Sequence, residues 1–156
     1  MTSAIEPISK TRLRVWLKLL KTSNGIEAEI RRNLRDRHNT TLPRFDVMSA
    51  LARFPEGLKM SDLSSFLRVS NGNVTGIVDK LTEEGLAQRV AVPGDKRAQV
   101  ARLTEKGKSE FESLANHHES WIDTLLDGLS FEDLEALSDT LERVLTQSTE
   151  KERADA

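Results

Sequence analysis

Two short stretches hold the polar groups best suited to reading a nucleic acid. The first is Ser70-Asn71-Gly72-Asn73-Val74-Thr75-Gly76, with Lys80 one turn further on. A major groove about 12 Å wide admits a helix, and small amides and hydroxyls near its amino-terminal turn can reach distinct donor and acceptor patterns on the base edges. Asn73 carries the amide that pairs with adenine, Asn71 or Ser70 can donate to phosphate, and Gly72 and Gly76 allow close backbone approach. The same residue types also cap helices or face solvent, and for Ser70 capping outweighs base reading. The second stretch is Asp95-Lys96-Arg97. A guanidinium on a narrow hairpin fits the minor groove, whose negative potential and limited width favour a slim cation. Arg97 is that candidate, with Asp95 expected to hold its guanidinium by a charge-assisted hydrogen bond and Lys96 expected to face phosphate. Taken alone, these three residues are a solvated turn with an ion pair worth at most about 1 kcal/mol.

These groups need a frame, and apolar spacing predicts one. Leu13, Trp16, Leu17, Leu20, Ile26, Ile30 and Leu34 mark an amphipathic helix over residues 13–34, with a bend or local break expected at Asn24-Gly25. After a polar connector at residues 38–41, Thr41 and Pro43 open a second helix to residue 53, with Phe45, Met48 and Leu51 inward. Phe54-Pro55-Glu56-Gly57 ends it. A short helix over residues 61–67 precedes one over 71–84, whose stripe is Val74, Ile77, Val78 and Leu81 and whose left-handed cap is Gly85. Residues 86–92 and 99–103 read as a two-stranded hairpin with a six-residue tip. A helix over 105–127 carries Phe111, Leu114, Trp121, Ile122 and Leu125, and Ser130-Phe131-Glu132-Asp133 resembles a capping box opening the last helix. That helix carries Leu134, Leu137, Leu141, Val144 and Leu145, and residues beyond Gln147 are expected to fray. The fold class is mainly α with a small β-hairpin, a winged helix-turn-helix with flanking helices.

Composition narrows the chemistry. The 156 residues are 37% hydrophobic and 31% charged, the size of one domain. Without cysteine there is no disulfide framework, thiolate metal cage or cysteine nucleophile. There is no glycine-rich phosphate loop, the carboxylates are dispersed, and no histidine has a plausible paired base, so an enzyme is not expected. His117 and His118 are adjacent and His38 is far off in sequence, so neither a metal site nor a cofactor is expected. No run of 18 apolar residues occurs, so a soluble protein with no membrane span is expected, and zero cysteines are compatible with a reducing cytoplasm, the expected location. Charge is polarised along the chain. Residues 1–44 hold 10 cations and 4 anions, residues 45–104 hold 8 and 7, and residues 105–156 hold 5 and 14. The acidic last third would repel phosphates, which leaves any nucleic-acid contact to the first two segments.

The run Asp95-Lys96-Arg97-Ala98 through Arg102-Leu103-Thr104-Glu105-Lys106-Gly107 follows Val74-Thr75-Gly76-Ile77-Val78-Asp79-Lys80-Leu81 and Glu84-Gly85-Leu86. In this it resembles the MarR family of bacterial transcriptional regulators. The resemblance spans nearly the whole chain in element order, and residues 61–107 carry its specific part. It implies a homodimer built by an amino-terminal dimerisation helix (residues 1–42) and carboxyl-terminal dimerisation helices (residues 105–156). Each subunit would present a DNA-binding lobe (residues 43–104) to a pseudo-palindromic operator in double-stranded DNA, and a small molecule would weaken that binding. Lys59 departs from the family, which often has Thr or Ser before the short helix, and leaves Ser61 or a backbone contact to cap it.

Leu42-Pro43-Arg44-Phe45-Asp46-Val47-Met48 and Val69-Ser70-Asn71-Gly72-Asn73-Val74-Thr75 further resemble the branch controlling breakdown of aromatic acids, some members of which respond to aryl-coenzyme A thioesters. The effector is then a small aromatic acid or its coenzyme A thioester. The implied crevice draws on Trp16, Leu20, Phe45, Met48, Phe66, Phe111 and Trp121, with Arg14, His38 and Arg44 as anion contacts; core packing is the competing role of the apolar ones. Arg31, Arg32, Arg35 and Arg37 could meet coenzyme A phosphates, or equally form a solvated helix face. The sequence thus reads as a ligand-responsive regulator, a repressor by this resemblance. The alternative is a winged-helix module that binds protein without specific DNA binding, which calls for an apolar exposed face on the second short helix.

Overall fold

The computed structural model describes residues 6–67 and 71–156. Its first element, α1, is one helix over Ile8–His38, longer at both ends than apolar spacing predicts and unbroken at Asn24-Gly25. A glycine inside a helix costs about 1 kcal/mol relative to alanine, too little to interrupt so long a hydrogen-bonded run. The helix stops at Asn39, which takes the left-handed conformation (φ 47°) and returns its N–H to the Leu34 carbonyl.

The next helix, α2 (Leu42–Arg53), starts as the sequence predicts: Thr41 Oγ1 accepts from Arg44 N at 3.3 Å, and Pro43 occupies the first turn. Beyond Gly57 a two-residue strand, β1 (Leu58–Lys59), runs straight into α3 (Met60–Leu67). Lys59 therefore closes a strand, and α3 starts one residue earlier than expected. The helix α4 (Asn71–Glu83) ends in a Schellman arrangement, with Leu86 N bonded to Leu81 O at 2.8 Å, Gly85 N bonded to Thr82 O at 3.0 Å, and Gly85 at φ 76°.

Two longer strands, β2 (Ala87–Val92) and β3 (Asp95–Leu103), form the wing, but the sheet has three antiparallel strands in the order β1-β3-β2. Two residues, Leu58 and Lys59, pair with Ala101 and Val100, too short a run for alternation to reveal. The close pairing needs a glycine beside it, since a Cβ at Gly57 (φ 103°) would fall 2.6 Å from Val100 Cγ2. The wing connection is Pro93-Gly94 alone, not six residues. Proline followed by a glycine at φ 84° suits a type II turn, and the strand resumes at once.

Val47, Met48 and Leu51 of α2, Leu63 of α3, Val74, Val78 and Leu81 of α4, and Ala101 and Leu103 of β3 are buried, together with Leu34 and Leu114. Thr104 starts α5 (Glu105–Leu125) by accepting from Gly107 N at 3.0 Å, while its hydroxyl donates to the Gly85 carbonyl at 2.6 Å. A last helix, α6 (Phe131–Ala154), opens with the expected capping box between Ser130 and Asp133. It stays helical past Gln147 instead of fraying, as Glu150, Lys151, Glu152 and Arg153 are good helix formers and cations near a carboxyl end favour the helix dipole.

The chain divides into two compact units, Met1–Ser120 and Trp121–Ala156. In the first, α1 exposes Ile8, Leu13, Val15, Trp16, Leu17 and Leu20. In the second, α6 buries no residue and exposes Phe131, Leu134, Leu137, Val144 and Leu145. No helix among the described residues is long and apolar enough to cross a membrane.

Candidate nucleic-acid interface

The helical period separates α4 into two faces. Val74, Val78 and Leu81 point into the core, while Asn73, Gly76 and Lys80 are exposed and Thr75 is half-buried. Asn71 opens the helix, and Ser70 lies outside the described residues. A Cβ at Gly72 or Gly76 would meet nothing within 4 Å, so this face is open. Asp79, on the same helix, pairs with Arg89 of β2 at 2.8 Å and ties α4 to the wing. Sequence spacing gave no sign of this pair, because the two residues belong to different elements.

At the wing, Val92 pairs with Asp95 whereas Ala91 pairs with Gln99, which leaves residues 96–98 of β3 unopposed. Arg97 is exposed on this irregular segment, and Lys96 precedes it in β3. The Asp95 carboxylate does not brace the Arg97 guanidinium. Its Oδ1 accepts from the Arg97 main-chain N–H at 3.0 Å, and the guanidinium forms no ion pair among the described residues. An aspartate two residues before an N–H satisfies that backbone group locally, which shapes the chain and leaves the cation outward.

A cavity of about 550 Å3 lies between the end of α1, the start of α2, the end of α4 and α5. Arg35, His38, Arg44 and Lys106 supply cations or a titratable ring, Glu84 and Glu110 supply carboxylates, and Met48, Leu86 and Leu114 supply apolar wall. The His38 and His117 rings meet edge to face at 4.6 Å although 79 positions apart by number. Partial burial, the neighbouring His117 and then Arg37 push the His38 pKa down. Glu84 is held below the usual carboxylate range, chiefly by its hydrogen bond from Arg44. Among the described residues no group of three or more potential metal-binding side chains is assembled.

The cavity gathers His38, Arg44 and Met48 from the sequence-derived ligand set and leaves the others elsewhere. Phe45 packs on Phe111 (ring centroids 5.7 Å) and His118 (5.0 Å), and Phe66 meets Phe54 edge to face at 5.8 Å. Arg14 pairs with Glu6, while Trp16 and Leu20 are exposed on the first half of α1. Trp121 belongs to the second unit. On α1, Arg31 pairs with Glu27, Arg32 with Glu29 and Arg35 with Asp36. No local spacing points to Glu84, Lys106 or Glu110, because only tertiary folding brings them to the cavity that holds Arg44.

This architecture recurs in known proteins. A crystal structure of a MarR family transcriptional regulator from Silicibacter pomeroyi superimposes with a TM-score of 0.76 at 30% identity, covering 92% of this chain and 99% of that one. The crystal structure of Streptococcus pneumoniae FabT in complex with DNA matches with a TM-score of 0.75 at 21% identity, covering 89% and 98%. An uncharacterised HTH-type transcriptional regulator, YkoM of Bacillus subtilis (strain 168), is 33% identical over 118 residues, 75% of this chain and 73% of its own length. The profile of the MarR family matches residues 38–98, the stretch from the end of α1 to the wing tip. With sequence, profile and fold in agreement, the chain belongs to the MarR family of transcriptional regulators.

Proposed function

We propose that this chain is a ligand-responsive repressor that binds a pseudo-palindromic operator in double-stranded DNA as a homodimer. The observation that carries the reading is the outward polar face of α4 together with the exposed Arg97 of the wing. On this reading Ser70, Asn71, Asn73, Thr75 and Gly76 address base edges and phosphates in the major groove, with Lys80 on phosphate. Arg97 enters the minor groove, Asp95 shapes the segment that carries it, and Lys96 faces phosphate. The FabT complex supports DNA as the partner for this fold. A protein-binding winged helix would need an apolar outer face, and α4 turns its apolar stripe inward.

The exposed apolar faces of α1 and α6 support a homodimer, since contiguous apolar surface of this kind marks association. Residues 1–42 and 105–156 then dimerise, residues 43–104 read DNA, and the protein works in the cytoplasm beside the chromosome. The effector is a small aromatic acid or its coenzyme A thioester. His38 and Arg44 meet its anion and Met48 its ring, with Lys106 and Leu114 completing the cavity. Arg14, Trp16, Leu20, Phe45, Phe66, Phe111 and Trp121 are assigned to packing, surface pairing or association instead.

Fluorescence anisotropy with duplex DNA from upstream of the chain's own gene tests the reading. Specific binding about 1,000-fold or more tighter than to random duplex is expected, with release on adding benzoate or benzoyl-coenzyme A. Equal affinity for random duplex would sink it.

A further inference from the structure

The cationic corner of the cavity already holds an anion from the protein itself. Arg44 Nη1 donates to Glu84 Oε1 at 3.2 Å, Nη2 donates to Glu84 Oε2, and Nε donates to Thr40 Oγ1 at 3.3 Å. The guanidinium fork is thus matched to both oxygens of one carboxylate. The Arg44 side chain is 20% exposed and that of Glu84 is 46% exposed, so solvent and solutes reach the pair from the Glu84 side. Glu84 directly follows α4, and its position is shared with two further ties: Lys106 Nζ donates to the Glu84 carbonyl at 3.0 Å, and Thr104 Oγ1 donates to the Gly85 carbonyl. The ion pair fastens this end of α4 to α2, across 40 positions of sequence.

We propose that Glu84 is a positioning residue that stands in for the effector's carboxylate: an anionic effector enters by taking the Arg44 guanidinium from Glu84, and the exchange unfastens the carboxyl end of α4 from α2. The proposal rests on reading this cavity as the effector site. A ligand shifts an equilibrium only through unequal affinity for the two states. Exchange supplies the inequality, because Arg44 is occupied while α4 is fastened and open to an external anion once it is released. With the fastened state as the DNA-binding one, operator and effector weaken each other's binding by the same factor. The chemistry also selects the ligand class, a carboxylate or phosphate able to engage the guanidinium fork, and rejects a neutral amide of the same shape.

Isothermal titration of the full chain with benzoate and with benzamide tests the exchange in the wild type, Glu84→Gln and Glu110→Gln. Glu110 lines the same cavity without pairing with Arg44, so Glu110→Gln removes an equal charge and leaves the fastening intact. Glu84→Gln is expected to bind benzoate at least about fivefold tighter than the wild type, to bind benzamide unchanged, and to lose several-fold in operator affinity without ligand. Glu110→Gln, which removes only a like charge from the cavity wall, is expected to gain less than about twofold for benzoate and to keep its operator affinity. Equal gains in the two variants would reduce the effect to a general field and overturn the exchange. Benzoate binding that Glu84→Gln leaves unaltered would overturn it too, with the cavity still an effector site. If no protein binds benzoate, the cavity is not an aromatic-acid site and both readings fall.

Discussion

Gly107, in the first turn of α5, lies so close to Leu86 that a Cβ on it would fall 1.9 Å from the Leu86 carbonyl oxygen. That oxygen accepts from Thr104 N at 3.0 Å, so the base of the wing and the start of α5 share one backbone junction. Because the obstacle is backbone, no side-chain rotation can relieve it. Gly107→Ala is expected to destabilise the fold by about 3 kcal/mol, read as a lower urea midpoint at unchanged slope. Gly76→Ala is the contrast. Its Cβ would meet nothing, and alanine favours a helix by about 1 kcal/mol over glycine. That variant is expected to hold or gain stability while losing operator affinity, because on the proposed reading the new methyl group enters the DNA contact.

Arg97→Ala is expected to weaken operator binding by about 1–3 kcal/mol, with the thermal midpoint nearly unchanged. Arg97 is exposed, makes no ion pair among the described residues, and sits on a segment unopposed in the sheet, so its side chain contributes little to the fold. Its main-chain N–H does contribute, through Asp95, and alanine keeps that bond. Anisotropy titrations on operator and on random duplex separate the outcomes. Unchanged operator affinity would take the wing out of DNA recognition.

The elements that could be read from sequence are those whose signal is local. Thr41, Gly85 and Ser130 with Asp133 act within a turn of where they stand, and the α4 stripe repeats at the helical period. The strand β1 escaped because Leu58–Lys59 is too short to alternate, and its partner lies some 40 residues on. No bend forms at Gly25, because the local cost of one glycine is small against the length of hydrogen-bonded helix on either side. The polar face of α4 and Arg97 follow from residue type and period. The cavity does not: Arg44 with Glu84, and His38 with His117, meet only through the packing of α1, α2, α4 and α5.

The His38 pKa is lowered by partial burial, by His117 and by Arg37, so the folded state resists protonating it more than the unfolded chain does. Arg35, Arg44 and Lys106 line the same cavity and add positive charge, against the carboxylates of Glu84 and Glu110. The unfolded state then binds more protons between the lowered folded value and the ordinary histidine value. Stability is full above the ordinary value, falls as the pH drops through that window, and levels off below the folded value. Urea midpoints taken from pH 8 to about pH 5 are expected to decline with acid, and His38→Asn is expected to flatten part of that decline. An unaltered slope in the variant would place the titration elsewhere.

Leu17 of α1 and Leu137 of α6 are 52% and 44% exposed within one chain, so a charge at either position costs the isolated subunit little. In a dimer that buries these faces, the same charge would be desolvated without a partner, at a cost of several kcal/mol. The wild type is therefore expected to sediment as a dimer, and Leu17→Glu and Leu137→Glu each as folded monomers. Operator affinity is expected to fall although neither substitution lies on the proposed DNA-reading face, because two linked heads bind through effective concentration and a lone head does not. Circular dichroism checks that each variant keeps its helices. If one variant remains dimeric while the other dissociates, association runs through a single helix, α1 or α6, and the other apolar face is left for a different occupant.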